Sequence, residues 1–139
     1  MIAITACIAI HRYMAEIFTS LDALRFWHAV TQRTLSNIPF DLSQRQTALL
    51  LTVYLSAPPH TVRNLAERVG ISKPAVCRAL DALSRLDLVR RKKDEADRRN
   101  VFVQRTIAGA VFLRDFGDLI VSEGEAINLM TRASETDAA

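Results

Sequence analysis

Apolar residues between Thr61 and Thr106 recur with two different periods, and the change of period places the elements. Val62, Leu65, Ala66 and Val69 fall at helical spacing, and so do Val76, Ala79, Leu80, Leu83 and Leu86. Gly70 stands where the first of these helices must stop and turn, a position that favours positive φ. Ile71 is the apolar plug of the turn. Thr61 follows Pro58-Pro59-His60, which does not readily continue a preceding helix, and is a good N-cap. Ser72 caps the second helix, and Pro74 lies in its first turn, where a missing N–H costs little. Beyond Leu86 the pattern changes. Leu88 to Lys92 and Asn100 to Gln104 read as two strands anchored by Val89, Val101 and Val103, with the polar tip KDEADRR between them. The order is helix, tight turn, second helix, hairpin.

The flanks are helical as well. Ser43 to Leu55 carries an S-x-x-Q capping box at Ser43 and Gln46, with Leu49, Leu50, Val53 and Tyr54 as its core face. Upstream, Ala15 to about Leu35 gives Ile17, Leu21, Leu24, Trp27 or His28, Thr31 and Leu35 at helical spacing. Downstream, Thr106 caps a helix whose stripe is Phe112, Leu113, Phe116, Leu119, Ile120 and Ile127. Strands are confined to the hairpin, apart from a possible short one before the helix-turn-helix. The expected fold is mainly α: a winged helix-turn-helix with a small β-hairpin wing and flanking N- and C-terminal helices. Three segments follow: 1–40, a helical segment; 41–106, the winged helix; and 107–139, a second helical segment.

Charge sharpens the picture. Residues 1–60 hold four basic and three acidic side chains, residues 61–106 twelve and six, and residues 107–139 two and six. A formal net charge of +3 over 139 residues therefore conceals a cationic middle and an anionic tail. Arg90, Arg91, Lys92, Lys93, Arg98 and Arg99 crowd into the hairpin, with Asp94, Glu95 and Asp97 among them. Charge runs are often only solvated surface. This one directly follows a helix-turn-helix, and a cationic patch of this kind attracts a polyanion.

In a winged helix the second helix can fill a DNA major groove while the hairpin reaches the flanking backbone or minor groove. Once Val76, Ala79, Leu80 and Leu83 face inward, elimination leaves Lys73, Pro74, Ala75, Cys77, Arg78 and Asp81 on the outer face. Lys73 and Arg78 are of the type that reads guanine edges or clamps phosphate. With Ser72 at the helix start and Lys92, Lys93 and Arg98 on the wing, they make the candidate DNA-binding set.

The segments DLSQRQTALLL, TVRNLAERVGISKPAVCRALDAL and DRRNVFVQRTIAG resemble the MarR-type winged-helix transcription regulators, from about Asp41 to about Leu113. The resemblance implies that Arg99 enters the minor groove and that Asp97 orients it by a salt bridge. It also implies a two-fold dimer of interdigitating terminal helices, and a cleft for small aromatic anions. Three positions depart from the family pattern: Arg105 replaces the usual Leu before Thr106, Ala96 sits where a polar tip residue is common, and Cys77 occupies a position more often Ser or Thr.

The outer helices carry more apolar surface than a winged helix alone can cover, which points to a homodimer, although packing on their own domain is the plainer alternative. Phe26, Trp27, His28 and Tyr54 are candidate lining for an effector cleft, a small aromatic or anionic molecule being the candidate ligand. Aromatic stripes at this spacing are more often core. The chain is expected to be a cytoplasmic DNA-binding repressor of a pseudo-palindromic site. The competing classes are a protein-docking winged helix and a redox switch through Cys7 or Cys77. Cys7 sits in an apolar run and reads more simply as packing.

No catalytic, cofactor or metal-binding residues are assigned. The histidines His11, His28 and His60 have no ligand spacing with one another or with the cysteines, and no nucleotide-binding or hydrolase motif is present. The opening MIAITACIAI lacks the basic start and cleavage site of a secretory signal and is too short to span a bilayer. It reads either as an apolar extension buried in the dimer or as sequence ahead of a start at Met14.

Overall fold

The computed structural model describes residues 19–137, with side chains to residue 127. The expectations for MIAITACIAI, Cys7, His11 and Ile17 fall outside the described residues. Among the described residues two compact units are present: 19–39 with 117–137, and Phe40–Phe116.

In the Phe40–Phe116 unit the chain runs through α2 (Gln44–Leu55), β1 (His60–Thr61), α3 (Val62–Val69), α4 (Lys73–Arg85), β2 (Val89–Lys93), β3 (Val101–Arg105) and the first turns of α5 (Ile107–Asp137). The strands form one antiparallel sheet in the order β1-β3-β2, with His60 opposite Val103 and Val89 opposite Arg105. The core is the one the periodicity marks out. Leu49, Leu50 and Val53 of α2, Leu65 and Ala66 of α3, and Val76, Ala79, Leu80 and Leu83 of α4 close on Leu88, Val89 and Val103. The architecture is that of a winged helix.

The joints follow the residues that make them. Ser43 and Gln46 form a reciprocal capping box on α2, and Thr61 and Asn64 form one on α3. Gly70 ends α3 at φ +71°, as the turn demands. At the end of α4 the left-handed residue is Asp87, at φ 54°. There the amide of Leu88 donates to the Leu83 carbonyl and the amide of Asp87 to that of Ser84. This closure uses Leu88, and the Asn100 amide is used by the turn at the wing tip, so both strands begin one residue later than the sequence predicts.

Tyr54 locks α2 to the hairpin base. Its hydroxyl donates to the Leu88 carbonyl at 2.8 Å and accepts from the Thr106 amide at 2.8 Å. Thr106 caps α5 by accepting from the Gly109 amide at 2.9 Å. Gly109 is obligatory here, since a Cβ would overlap the Tyr54 hydroxyl and the Leu88 carbonyl.

The other unit contains α1 (Ser20–Asn37) and the later part of α5. The predicted helix from Ala15 is corrected at Thr19, which is extended and caps α1 through a box with Asp22. The apolar stripe read from the spacing is largely uncovered by its own unit. Leu21, Leu24, Trp27 and Leu35 are exposed, Trp27 by 60%, whereas Val30 is buried. Arg33 pairs with Glu123 of α5 at 2.9 Å. The stripe that periodicity identified is therefore an uncovered apolar face of α1.

Candidate nucleic-acid interface

Helix α4, the second of the helix-turn-helix, is held by its buried face and presents its other face outward. Ser72 caps it by accepting from the Ala75 amide at 3.4 Å. Lys73, Pro74 and Arg78 are exposed, while Ala75, Cys77 and Asp81 are half-buried. The six residues assigned outward by elimination thus all lie outside the core, three of them partly covered.

The wing carries its charges on two faces. In a strand, alternate residues share a face, so Arg91 and Lys93 lie with the anchor Val89, and Arg90 and Lys92 lie opposite. Lys92 and Lys93, predicted together as phosphate contacts, therefore project from opposite sides of the hairpin. Arg91 is turned back: its guanidinium pairs with the carboxylate of Asp81 on α4. That pair couples the wing to the recognition helix, and sequence reasoning missed it. The usable signal was the two-residue spacing from Val89, which puts Arg91 on the helix side.

The wing tip is built from side-chain caps. The Asp94 carboxylate accepts from the Ala96 amide at 2.9 Å, and that of Asp97 accepts from the Arg99 amide at 3.1 Å. The Asn100 amide closes on the Asp97 carbonyl at 2.9 Å. Asp97 therefore fixes Arg99 through the backbone, and no ion pair between their side chains is present among the described residues. Arg98 and Arg99 are exposed.

Arg105, a departure from the family pattern, has a structural role. Its Nε donates to the Val53 carbonyl at 2.9 Å and its terminal nitrogen to the Ser56 carbonyl at 2.8 Å, capping the end of α2. The guanidinium also sits 5.8 Å from the centre of the Tyr54 ring. His60 is buried nearby, its ring close to the Ser56 and Val53 carbonyls without a well-formed hydrogen bond to either. Burial, then the nearby charges of Arg68 and Arg105, holds its pKa below the usual 6.5.

The proposed effector residues are not alike. Tyr54 spends its hydroxyl on Leu88 and Thr106, and Phe26 is half-buried beside Gly124. Trp27 and His28 are exposed. Among the described residues, no helix is long and apolar enough to cross a membrane, and no group of His, Cys, Asp or Glu is arranged to hold a metal ion.

A helix-turn-helix with a cationic antiparallel wing defines a winged-helix protein. The MarR family pattern matches residues 40–100. A solved transcriptional regulator, PA3341, is 31% identical over 76% of this chain and 75% of its own, with a TM-score of 0.56. The protein belongs to the MarR family. Two more distant structures share the fold. The MepR–DNA complex of S. aureus is 18% identical, with a TM-score of 0.64 over 84% of this chain and 92% of that one. The transcriptional repressor CouR, bound to a 23-mer DNA duplex, is 24% identical, with a TM-score of 0.59 over 94% and 83%. No curated protein sequence matches the chain.

Proposed function

We propose that this MarR-family protein is a DNA-binding transcription regulator, acting as a cytoplasmic homodimeric repressor on a pseudo-palindromic duplex site. The observation that carries the reading is the pairing of two surfaces: the outward face of α4, with Lys73 and Arg78, and a cationic wing tied to that helix by Arg91 and Asp81. Inserted in a major groove, α4 places Arg78 and Lys73 at base edges, with Ser72, Pro74, Ala75 and Cys77 along the contact. Arg99, on a turn fixed by Asp97, enters the flanking minor groove. Lys92, Lys93 and Arg98 hold phosphates.

The exposed stripe Leu21, Leu24, Trp27 and Leu35 supports the dimer, because a contiguous apolar face of this kind is uncommon on a monomer. Two recognition helices then meet half-sites about one helical turn apart. A small aromatic or anionic effector bound near Trp27 and His28 would relieve repression. No residue is given a catalytic role.

The test is fluorescence anisotropy of the purified protein on the duplex upstream of its own gene, against a shuffled duplex at two salt concentrations. Tight, salt-sensitive binding with preference for the native duplex is expected. Equal binding to both would reject sequence-specific recognition of that site.

A further inference from the structure

Beside the recognition helix lies a trough of about 150 Å³, lined by Ser43, Arg45 and Gln46 at the start of α2 and by Ala75, Arg78 and Ala79 of α4. Two arginines from two different helices line this one opening, and no acidic residue does. Elsewhere in the same unit Arg63, Arg68, Arg91 and Arg105 each find an acceptor, whereas Arg85, Arg90, Arg98 and Arg99 form no side-chain hydrogen bond or ion pair among the described residues and do not line the trough. Arg45 and Arg78 have neither an ion pair nor a side-chain hydrogen bond among the described residues.

The acceptor oxygens of Ser43 and Gln46 are taken up by the capping box. The Ser43 amide donates to the Gln46 Oε1 at 2.8 Å, and the Gln46 amide donates to the Ser43 Oγ at 3.3 Å. What the trough has left to offer is therefore donors: two unpartnered positive charges, the Gln46 side-chain N–H groups and the Ser43 hydroxyl. Two like charges facing one opening repel each other, and an anion placed between them relieves the repulsion. Ala75 and Ala79 keep that side of the trough shallow enough for a tetrahedral oxyanion to approach. Guanidinium groups suit such a group because their paired N–H donors match its oxygens.

We propose that this trough binds a phosphate-type anion, and that the anion is a phosphodiester of the DNA backbone beside the groove that receives α4. The inference rests on the reading of α4 as the recognition helix. Arg78 belongs at once to the trough and to the outward face of α4, so an anion held here borders whatever groove that face enters. Arg45 supplies the charge dedicated to it. A backbone contact carries no sequence information, so Arg45 strengthens binding to every duplex alike.

The experiment compares the full-length parent with Arg45→Gln and Arg45→Lys by anisotropy on the native and shuffled duplexes across a salt series. Thermal midpoints with and without inorganic phosphate are measured alongside. Arg45→Gln is expected to weaken both duplexes at least about fivefold, and, with two copies of the residue in the dimer, to flatten the dependence of log affinity on log salt by about 1.8. Arg45→Lys restores most of the loss. If Arg45→Gln keeps the parent's affinity and salt slope on both duplexes, the backbone assignment is overturned. If it does so while losing a phosphate-induced rise in midpoint seen in the parent, the trough takes free phosphate and DNA is the wrong source. A parent that binds neither duplex overturns the DNA reading itself, whatever Arg45 does.

Discussion

Arg91, in the first strand of the wing, is ion-paired with Asp81 of the recognition helix. The contact joins the wing to α4, the two elements proposed to face DNA, and it removes one of the wing's positive charges from the free set. It also places a carboxylate on a surface that meets a polyanion. An exposed pair of this kind contributes about 0–1 kcal/mol to stability, so its consequence is the placement of charge rather than cohesion.

Asp81→Asn removes that carboxylate and releases Arg91. The variant is expected to unfold within about 1 kcal/mol of the parent. Its affinity for shuffled duplex should rise severalfold, narrowing the preference for the native site. Parallel denaturation and anisotropy curves check both statements. A severalfold loss of affinity for every duplex would contradict them.

Asp97 acts on Arg99 through the backbone, which separates two substitutions that an ion-pair role would treat alike. Asn keeps an acceptor oxygen for the Arg99 amide, so Asp97→Asn should retain most of the parent's DNA affinity. Asp97→Ala frees the turn and should weaken binding toward the level of Arg99→Ala. Equal losses in Asp97→Asn and Asp97→Ala would instead mark a charge interaction with the guanidinium.

His60 gives the fold a pH dependence of definite sign. Its folded pKa lies below the usual 6.5, so the unfolded chain binds the proton more tightly. Stability from neutral His60 is fully present above 6.5 and is lost as pH falls from there through the folded pKa. The slope is at most about 1.4 kcal/mol per pH unit. Denaturant unfolding at pH 7.5 and pH 5.5 measures it, and His60→Leu should flatten this part of the profile.

Gly109→Ala places a methyl group into the Tyr54 hydroxyl and the Leu88 carbonyl, one of them main chain. The expected loss is about 1–3 kcal/mol, read from the denaturation midpoint, as for an overpacked site. Gly117, in the same helix, has open space around an added Cβ. Gly117→Ala should therefore stabilise by up to about 1 kcal/mol, and the two variants have opposite signs.

How much of this was legible in the sequence depends on the range of the interaction. The α3–α4 core, the capping box at Ser43 and Gln46, and the left-handed Gly70 follow from residues within a few positions of one another. Asp87 escaped because its residue type does not require positive φ; the hydrogen bonds at the end of α4 impose it. The start of α1 was placed too early because apolar spacing continues through Thr19, whereas the Thr19–Asp22 cap ends the helix there.

Periodicity also found the apolar stripe of α1 without saying whether its own unit covers it. Val30 and Phe26 turn inward, and Leu24 and Trp27 do not. The spacing from Val89 puts Arg91 on the helix side without naming Asp81 as its partner, and Arg105–Val53 joins segments so far apart that local spacing carries no trace of it. Arg45 went unnoticed because its significance appears only where α2 meets α4.

The central claim is that α4 reads bases, with Arg78 as a principal reader. The most direct measurement is the affinity of the parent and Arg78→Ala for a set of duplexes carrying every single base-pair change in the native site. The parent should discriminate at several positions of each half-site. Arg78→Ala should lose about 1–3 kcal/mol and become indifferent at one symmetry-related position, while keeping its preferences elsewhere. A parent that binds every duplex alike, or an Arg78→Ala variant with the parent's full preference profile, would contradict the account.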